Sequence, residues 1–249
     1  MRNALVNLLG WRATVLQGDP SVTDRWRWLK RHLKPGPLRT LDAGCGTGAY
    51  TLFAATVGNR AVGVSFDPAQ IRRARDRAGI LGIAHVEFRV GDLRRLGDDA
   101  PALGLFDQVI VFETIEHILD HQKLIDDLAG LLKPGGTVLL TAPYKHHKPL
   151  WGESLSETED GGHVRWGYTH DELRAMFATA GLEVTAEEFI SGLVSQKLAS
   201  LQFGLTRVNT HGAWGLTLPL RVFHRLDGPL TRWTGYPHLS VGVVGRKPD

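Results

Sequence analysis

The chain has 249 residues, 43% of them hydrophobic, and a formal net charge of +3. That is enough apolar material for a sizeable core, and a positive charge too mild to demand nucleic acid as a partner. The single cysteine, Cys45, excludes an internal disulfide and suits a reducing cytoplasm. No apolar run reaches the ~20 residues of a spanning helix, and Met1 to Gln17 lacks the continuous apolar core of a signal peptide.

From residue 37 onward the pattern alternates between strands and helices. Strands are predicted over Leu38–Ala43, Ala61–Ser65, Val86–Val90, Phe106–Phe112 and Thr137–Thr141. Between them the pattern predicts helices over Ala49–Val57, Pro68–Ile80 and His117–Leu132. The last ends at Lys133-Pro134-Gly135-Gly136, a stop of cation, proline and glycines. Thr169 with Glu172 makes a capping box for a helix reaching Ala180, which Gly181 closes. Two more strands, Leu182–Ile190 and His238–Arg246, complete the series. This order is that of an α/β fold with helices on both faces of a mostly parallel sheet. Residues 1–36 form a helical arm, 37–190 with 238–249 the core, and 191–237 a cap inserted before the last strand. Tyr144–Tyr168 is too long for an ordinary connection and reads as a lid. The basic run Arg72 to Arg77 reads as a solvated helix face.

The tryptophans divide along the same lines. Trp11, Trp26 and Trp28 precede the core, and Trp151, Trp166, Trp214 and Trp233 follow its fifth strand. They serve either to hold the added layers together or to line an aromatic pocket.

Ligands of open parallel sheets bind at the carboxyl ends of the strands, so chemistry is sought there. After the first strand comes Asp42-Ala43-Gly44-Cys45-Gly46-Thr47-Gly48, an acid with three alternating glycines at a strand-to-helix turn. Such a loop lets a ligand approach the backbone and the helix N-terminus. It is not the G-x-G-x-x-G of dinucleotide sites, and an acid at the strand end suits a cationic or hydroxyl-bearing ligand. Cys45 reads as a small buried residue rather than a nucleophile. Further acids or polar groups follow the next strands: Ser65-Phe66-Asp67, Asp92-Leu93, and Phe112-Glu113-Thr114-Ile115-Glu116-His117.

These segments together resemble the class I S-adenosylmethionine-dependent methyltransferases. The resemblance implies a Rossmann-like sheet of seven strands, the last antiparallel. It also implies S-adenosylmethionine as cofactor, S-adenosylhomocysteine as product, and contacts from Asp42, Gly44, Cys45, Gly46 and Gly48. Asp42 would order the loop and meet the cofactor's ammonium, directly or through water. Where the family carries an acid for the two ribose hydroxyls, this chain has Ser65, beside Phe66. Asp67 either takes over or caps the helix that follows. Asp92 with Leu93 would meet the adenine, or Asp92 would cap a short helix. Phe112 and Glu113 complete the cofactor set.

Glu113-x-x-Glu116-His117 resembles a segment of small-molecule methyltransferases, and Gly162-His163-Val164-Arg165-Trp166 one found before the penultimate helix. The resemblance makes His117, and next His163, candidates for a base; His117 is equally a backbone-satisfied histidine at a helix start. Tyr144, His146, His147 and Trp166 are candidates for the acceptor. The lid histidines and acids, Glu153 included, show no tight ligand spacing, so no metal is expected. The leading expectation is methyl transfer to a small acceptor of apolar or aromatic character. The competing ones are a membrane-docking enzyme of lipids or quinones, using Met1–Trp11 and Leu216–Leu226, and a cofactor-binding module without methyl transfer. Acceptor atom and oligomeric state stay open.

Overall fold

The structure, a computed structural model, describes residues 2–16, 18–148, 150 and 154–249. The arm comprises α1 (Arg2–Leu9), α2 (Arg12–Leu16) and α3 (Pro20–His32). The core follows as β1 (Arg39–Ala43), α4 (Ala49–Thr56), β2 (Arg60–Ser65), α5 (Pro68–Leu81), β3 (Val86–Val90), α6 (Leu96–Leu103), β4 (Phe106–Phe112), α7 (His121–Gly130) and β5 (Leu132–Pro143). After the lid come α8 (His170–Thr179) and β6 (Glu183–Ile190). The cap holds α9 (Leu193–Thr206), α10 (Thr210–Leu220), a 3-10 segment Arg221–Leu226 and α11 (Asp227–Thr234), before β7 (Ser240–Arg246).

The strands form one sheet in the order β3-β2-β1-β4-β5-β7-β6. β7 runs antiparallel to both its neighbours, and the remaining pairs are parallel. The order reverses between β1 and β4, which opens a crevice at their carboxyl ends.

Alternation along the strands sorts the core onto two faces. Val109 and Val111 of β4, with Val138 and Leu140 of β5, pack with Leu124, Leu128, Leu173 and Phe177 of α7 and α8. Ile110 and Phe112, with Leu139, face the other way and meet Trp28 and Leu29 of α3 and Phe53 of α4. The arm is thereby built into the core: Trp28 is 1% exposed, and Trp11, Trp26 and Phe53 form a mutual aromatic cluster. The cap leans on the arm, where Arg221 donates to the carbonyls of Leu16 and Gly18. Among the described residues no helix is long and apolar enough to cross a membrane.

Three local expectations are corrected. The helix expected over His117–Leu132 is a short 3-10 turn, Ile115–His117, and then α7, which starts only after Asp120 caps it by accepting from the Lys123 amide. Lys133-Pro134-Gly135-Gly136 lies inside β5, with an irregular register against β4: Leu132 pairs with Phe106 and Thr137 with Gln108, so the four residues span the shift. The basic run on α5 is mostly exposed, but Arg77 is buried and donates to the carbonyl and hydroxyl of Thr47 in the glycine turn.

Candidate active site

The glycine turn between β1 and α4 has Gly44, Gly46 and Gly48 all at positive φ. At Gly44 the need is steric as well, since a Cβ there would overlap the Thr114 hydroxyl. Two cavities border this turn and share Gly44 and Glu113 as walls.

The first cavity, about 330 Å³, lies over the ends of β2, β3 and β4. Its walls include Gly46, Ser65, Phe66, Gln70, Asp92, Leu93 and His117. Phe66 is 69% exposed, an aromatic face presented at the cavity. The Ser65 hydroxyl lies 3.4 Å from the Gln70 side-chain oxygen, so two neutral polar groups stand where the resemblance expects an acid. Asp67 does not line this cavity; it caps α5 by accepting from the Ala69 amide at 2.7 Å. Asp92 borders the cavity, and its carboxylate accepts from the Arg94 amide and guanidinium. Arg94 reaches on to Glu159 of the lid at 3.2 Å, which ties the lid to the cavity mouth.

The second cavity, about 490 Å³, lies between the arm and the glycine turn, walled by Arg25, Cys45, Thr47, Tyr50 and Phe112 among others. Arg25, from α3, was not singled out by sequence. Its guanidinium meets the Glu113 carboxylate at 2.9 Å. Burial works against its charge, and Glu113, Tyr50 and Asp19 together more than offset that, so its pKa lies above the ordinary value. Glu113 itself sits in left-handed backbone, φ 45°, and accepts from the hydroxyls of Thr141 and Ser240. A buried cation beside the turn is a natural seat for a carboxylate.

Asp42 lies beneath the turn rather than in either cavity. It is 2% exposed and accepts from the Thr51 hydroxyl at 2.5 Å, which fixes α4 to the end of β1. Burial pushes its pKa up to about 6. Gly48 is also outside the cavities and packs on Phe88, while burial pushes the Cys45 thiol far above its usual range, into an inert state.

His117 and His163 come together although they lie on different segments. Their rings meet edge to face with centroids 4.8 Å apart. His117 Nδ1 donates to the Gly162 carbonyl at 2.9 Å, and burial lowers its pKa. Glu116, fully buried, places Oε1 3.9 Å from Nε2 of each histidine. The lid is held here by the Val164 amide donating to the Glu116 carbonyl. By contrast Tyr144, His146, His147 and Trp166 line neither cavity. His147 is turned inward by a 2.6 Å bond between its Nδ1 and the Tyr144 carbonyl. Trp11, Trp26 and Trp28 pack the arm, and Trp151 and Glu153 lie outside the described residues.

The sequence profile of a family described as a methyltransferase domain matches residues 22–187. The chain belongs to this methyltransferase-domain family. Its matched span holds the glycine turn, both histidines and Arg25. The ubiquinone biosynthesis O-methyltransferase of Xanthomonas axonopodis pv. citri (strain 306) is 32% identical over 117 residues, 47% of this chain and 48% of that protein. The chain thus spans about half the length of that relative. Among solved structures, the [4+2]-cyclase SpnF superposes with a TM-score of 0.63 at 19% identity, covering 90% of this chain and 80% of that one. Coclaurine N-methyltransferase, bound to N-methylheliamine and SAH, gives 0.60 at 16% identity, covering 91% and 72%. These two likenesses are of fold, and the methyltransferase-domain fold carries more than one chemistry.

Proposed function

We propose that this chain transfers the sulfonium methyl of S-adenosylmethionine to a small-molecule acceptor with an apolar or aromatic body, releasing S-adenosylhomocysteine. The observation that carries this reading is the pair of cavities that meet at Gly44 and Glu113. Each suits one half of the cofactor. The first offers an aromatic face, Leu93 and short polar groups to a nucleoside. The second offers Arg25 and the turn to an amino-acid carboxylate, and the Glu113 carboxylate to its ammonium.

Transfer from a sulfonium is an in-line displacement whose leaving group is already activated. The protein aligns the acceptor, excludes water and takes up the acceptor's proton. His117 borders the first cavity and, with Nδ1 donating, its neutral ring presents a lone pair at Nε2. The acceptor enters beside it, under the lid. The name of the Xanthomonas relative supports an oxygen acceptor, and the single cysteine supports a cytoplasmic setting.

Calorimetric titration with S-adenosylmethionine and S-adenosylhomocysteine tests the cofactor half, and labelled methyl transfer to a panel of phenols, amines and lipids tests the acceptor. Micromolar binding of both cofactors with a labelled product is expected. Binding without transfer to any acceptor would favour a cofactor-binding module, and no binding would refute both.

A second reading concerns the cap, where Leu216, Val222, Phe223, Leu226 and Trp233 are between 49% and 84% exposed. Arg225 and Arg232 are exposed beside them, and the insertion's one carboxylate, Asp227, is engaged by amides at the start of α9. An apolar surface with exposed cations suits an anionic bilayer, which would bring the enzyme to a lipid-borne acceptor. Flotation with phosphatidylglycerol vesicles checks this; a protein that stays at the bottom of the gradient rules it out.

A further inference from the structure

We propose that Glu116, His117 and His163 form a binding site for a divalent transition-metal ion, zinc foremost, that opens on the first cavity. The atoms that converge are one carboxylate oxygen and two imidazole nitrogens, all within 4.8 Å of one another. Glu116 Oε1 faces Nε2 of both histidines at 3.9 Å. That distance is too long for a hydrogen bond. It is shorter than twice the usual zinc–ligand length of about 2.0–2.2 Å, so a single ion between the groups touches each of them after small side-chain rotations.

Three features make this a built site rather than a chance meeting. Glu116 is fully buried, held on the 3-10 turn Ile115–His117 between β4 and α7. His117 Nδ1 donates to the Gly162 carbonyl, which fixes the tautomer whose lone pair is at Nε2, toward Glu116. Metal-bound histidines are oriented in this way by a carbonyl or carboxylate on the far nitrogen. The third ligand, His163, comes from the lid, which is stitched to the turn by the Val164 amide and the Glu116 carbonyl. Two histidines and a carboxylate are a donor set that suits zinc and its neighbours and leaves positions open.

The open side is where His117 borders the cavity beside Thr114 and Ile118. Resting on the proposed methyl transfer, the site names the acceptor class: a molecule with an ionisable hydroxyl. Such a hydroxyl bound to the ion gives its proton to solvent, as metal-bound water does near neutral pH. The resulting oxyanion forms the new C–O bond as the bond from methyl to sulfur breaks. The electron pair stays on sulfur, and the products are a methyl ether and S-adenosylhomocysteine. With the ion bound, Nε2 of His117 is a ligand, and the ion rather than the imidazole carries the acidification.

The test uses the full chain, stripped with chelator and equilibrated by dialysis against Zn²⁺, with the bound metal quantified by mass spectrometry. In parallel, Co²⁺ is added and its visible ligand-field absorption recorded. One equivalent per chain is expected, with His163→Gln and His117→Gln each weakening retention at least tenfold and changing the cobalt spectrum. His163→Gln is the deciding variant, because its ring is on the lid and its loss spares the buried carboxylate. No stoichiometric metal in the native chain, or unchanged retention in His163→Gln, overturns the site. Calorimetry with S-adenosylmethionine on the same stripped protein reports separately on the cofactor, so failure of the metal site and failure of the methyl-transfer reading are told apart.

Discussion

Arg25 on the arm and Glu113 at the end of β4 form a 2.9 Å ion pair that walls the second cavity. The pair joins an element outside the alternating core to the crevice at the topological switch. Removing Arg25 leaves the part-buried Glu113 carboxylate, 21% exposed, with its hydroxyl partners but without its cation, which is destabilising. Arg25→Met is therefore expected to lower stability by about 1–3 kcal/mol, less than a fully buried pair would lose, and to weaken S-adenosylmethionine binding by more than tenfold. The double variant with Glu113→Gln should recover part of the stability but none of the affinity. Urea denaturation and calorimetry on the three proteins check this; an affinity that returns with stability would mean Arg25 only braces the arm.

Asp42 ties stability to pH. Its folded pKa is raised, by burial, to about 6, against about 3.9 in an unfolded chain. The neutral carboxyl is the form that the fold favours. Its contribution is fully present below pH ~4 and is lost as pH rises through about 6, a span worth at most ~3 kcal/mol. Asp42→Asn should remove that fall between pH 4 and 6 and leave the apo protein at least as stable at pH 7. Thermal melts across this range decide it, and an unchanged pH profile in the variant would contradict the raised pKa.

What was legible in the sequence was local. The glycine turn, the Asp67 cap and the Thr169–Glu172 capping box are each written within a few residues, and each is found where expected. Lys133-Pro134-Gly135-Gly136 carries the local signs of a break. Yet pairing to β4, and the Lys247 amide donating to the Gly136 carbonyl, keep it in the sheet. Arg25 and Gln70 carry no local sign of their place, because their partners, Glu113 and Ser65, lie on other elements. The approach of His163 to Glu116 is likewise a product of the lid folding back, which no ligand spacing along the chain announces.

Gly44 offers a steric test of the turn. Its φ of +88° strains any L side chain, and a Cβ would strike the Thr114 side chain first at its hydroxyl. Gly44→Ala should reduce cofactor affinity at least tenfold while the fold persists, since the change is confined to the crevice. Adding Thr114→Ala removes the nearest obstruction but not the backbone strain, so a partial recovery is expected. Calorimetry on the single and double variants measures it; full affinity in Gly44→Ala would remove the turn from the binding site.

The remaining prediction concerns the ribose. An acid after β2 can accept two hydroxyl hydrogen bonds at once, and Ser65 cannot. In this chain Gln70, one turn into α5, lies beside Ser65 and borders the same cavity. Its amide oxygen is an acceptor with two lone pairs, aimed by the helix that Asp67 caps. The two neutral groups together are suited to the task that one carboxylate performs. Gln70→Ala should therefore weaken S-adenosylmethionine and S-adenosylhomocysteine alike, by about five- to tenfold, the loss of roughly 1 kcal/mol for a neutral hydrogen bond. Ser65→Asp should tighten both and make Gln70→Ala nearly silent, because the carboxylate supersedes the amide. Cofactors lacking both ribose hydroxyls should show no difference among these variants. If Gln70→Ala binds as the native chain does, the ribose is held elsewhere, and Ser65 alone stands at that position.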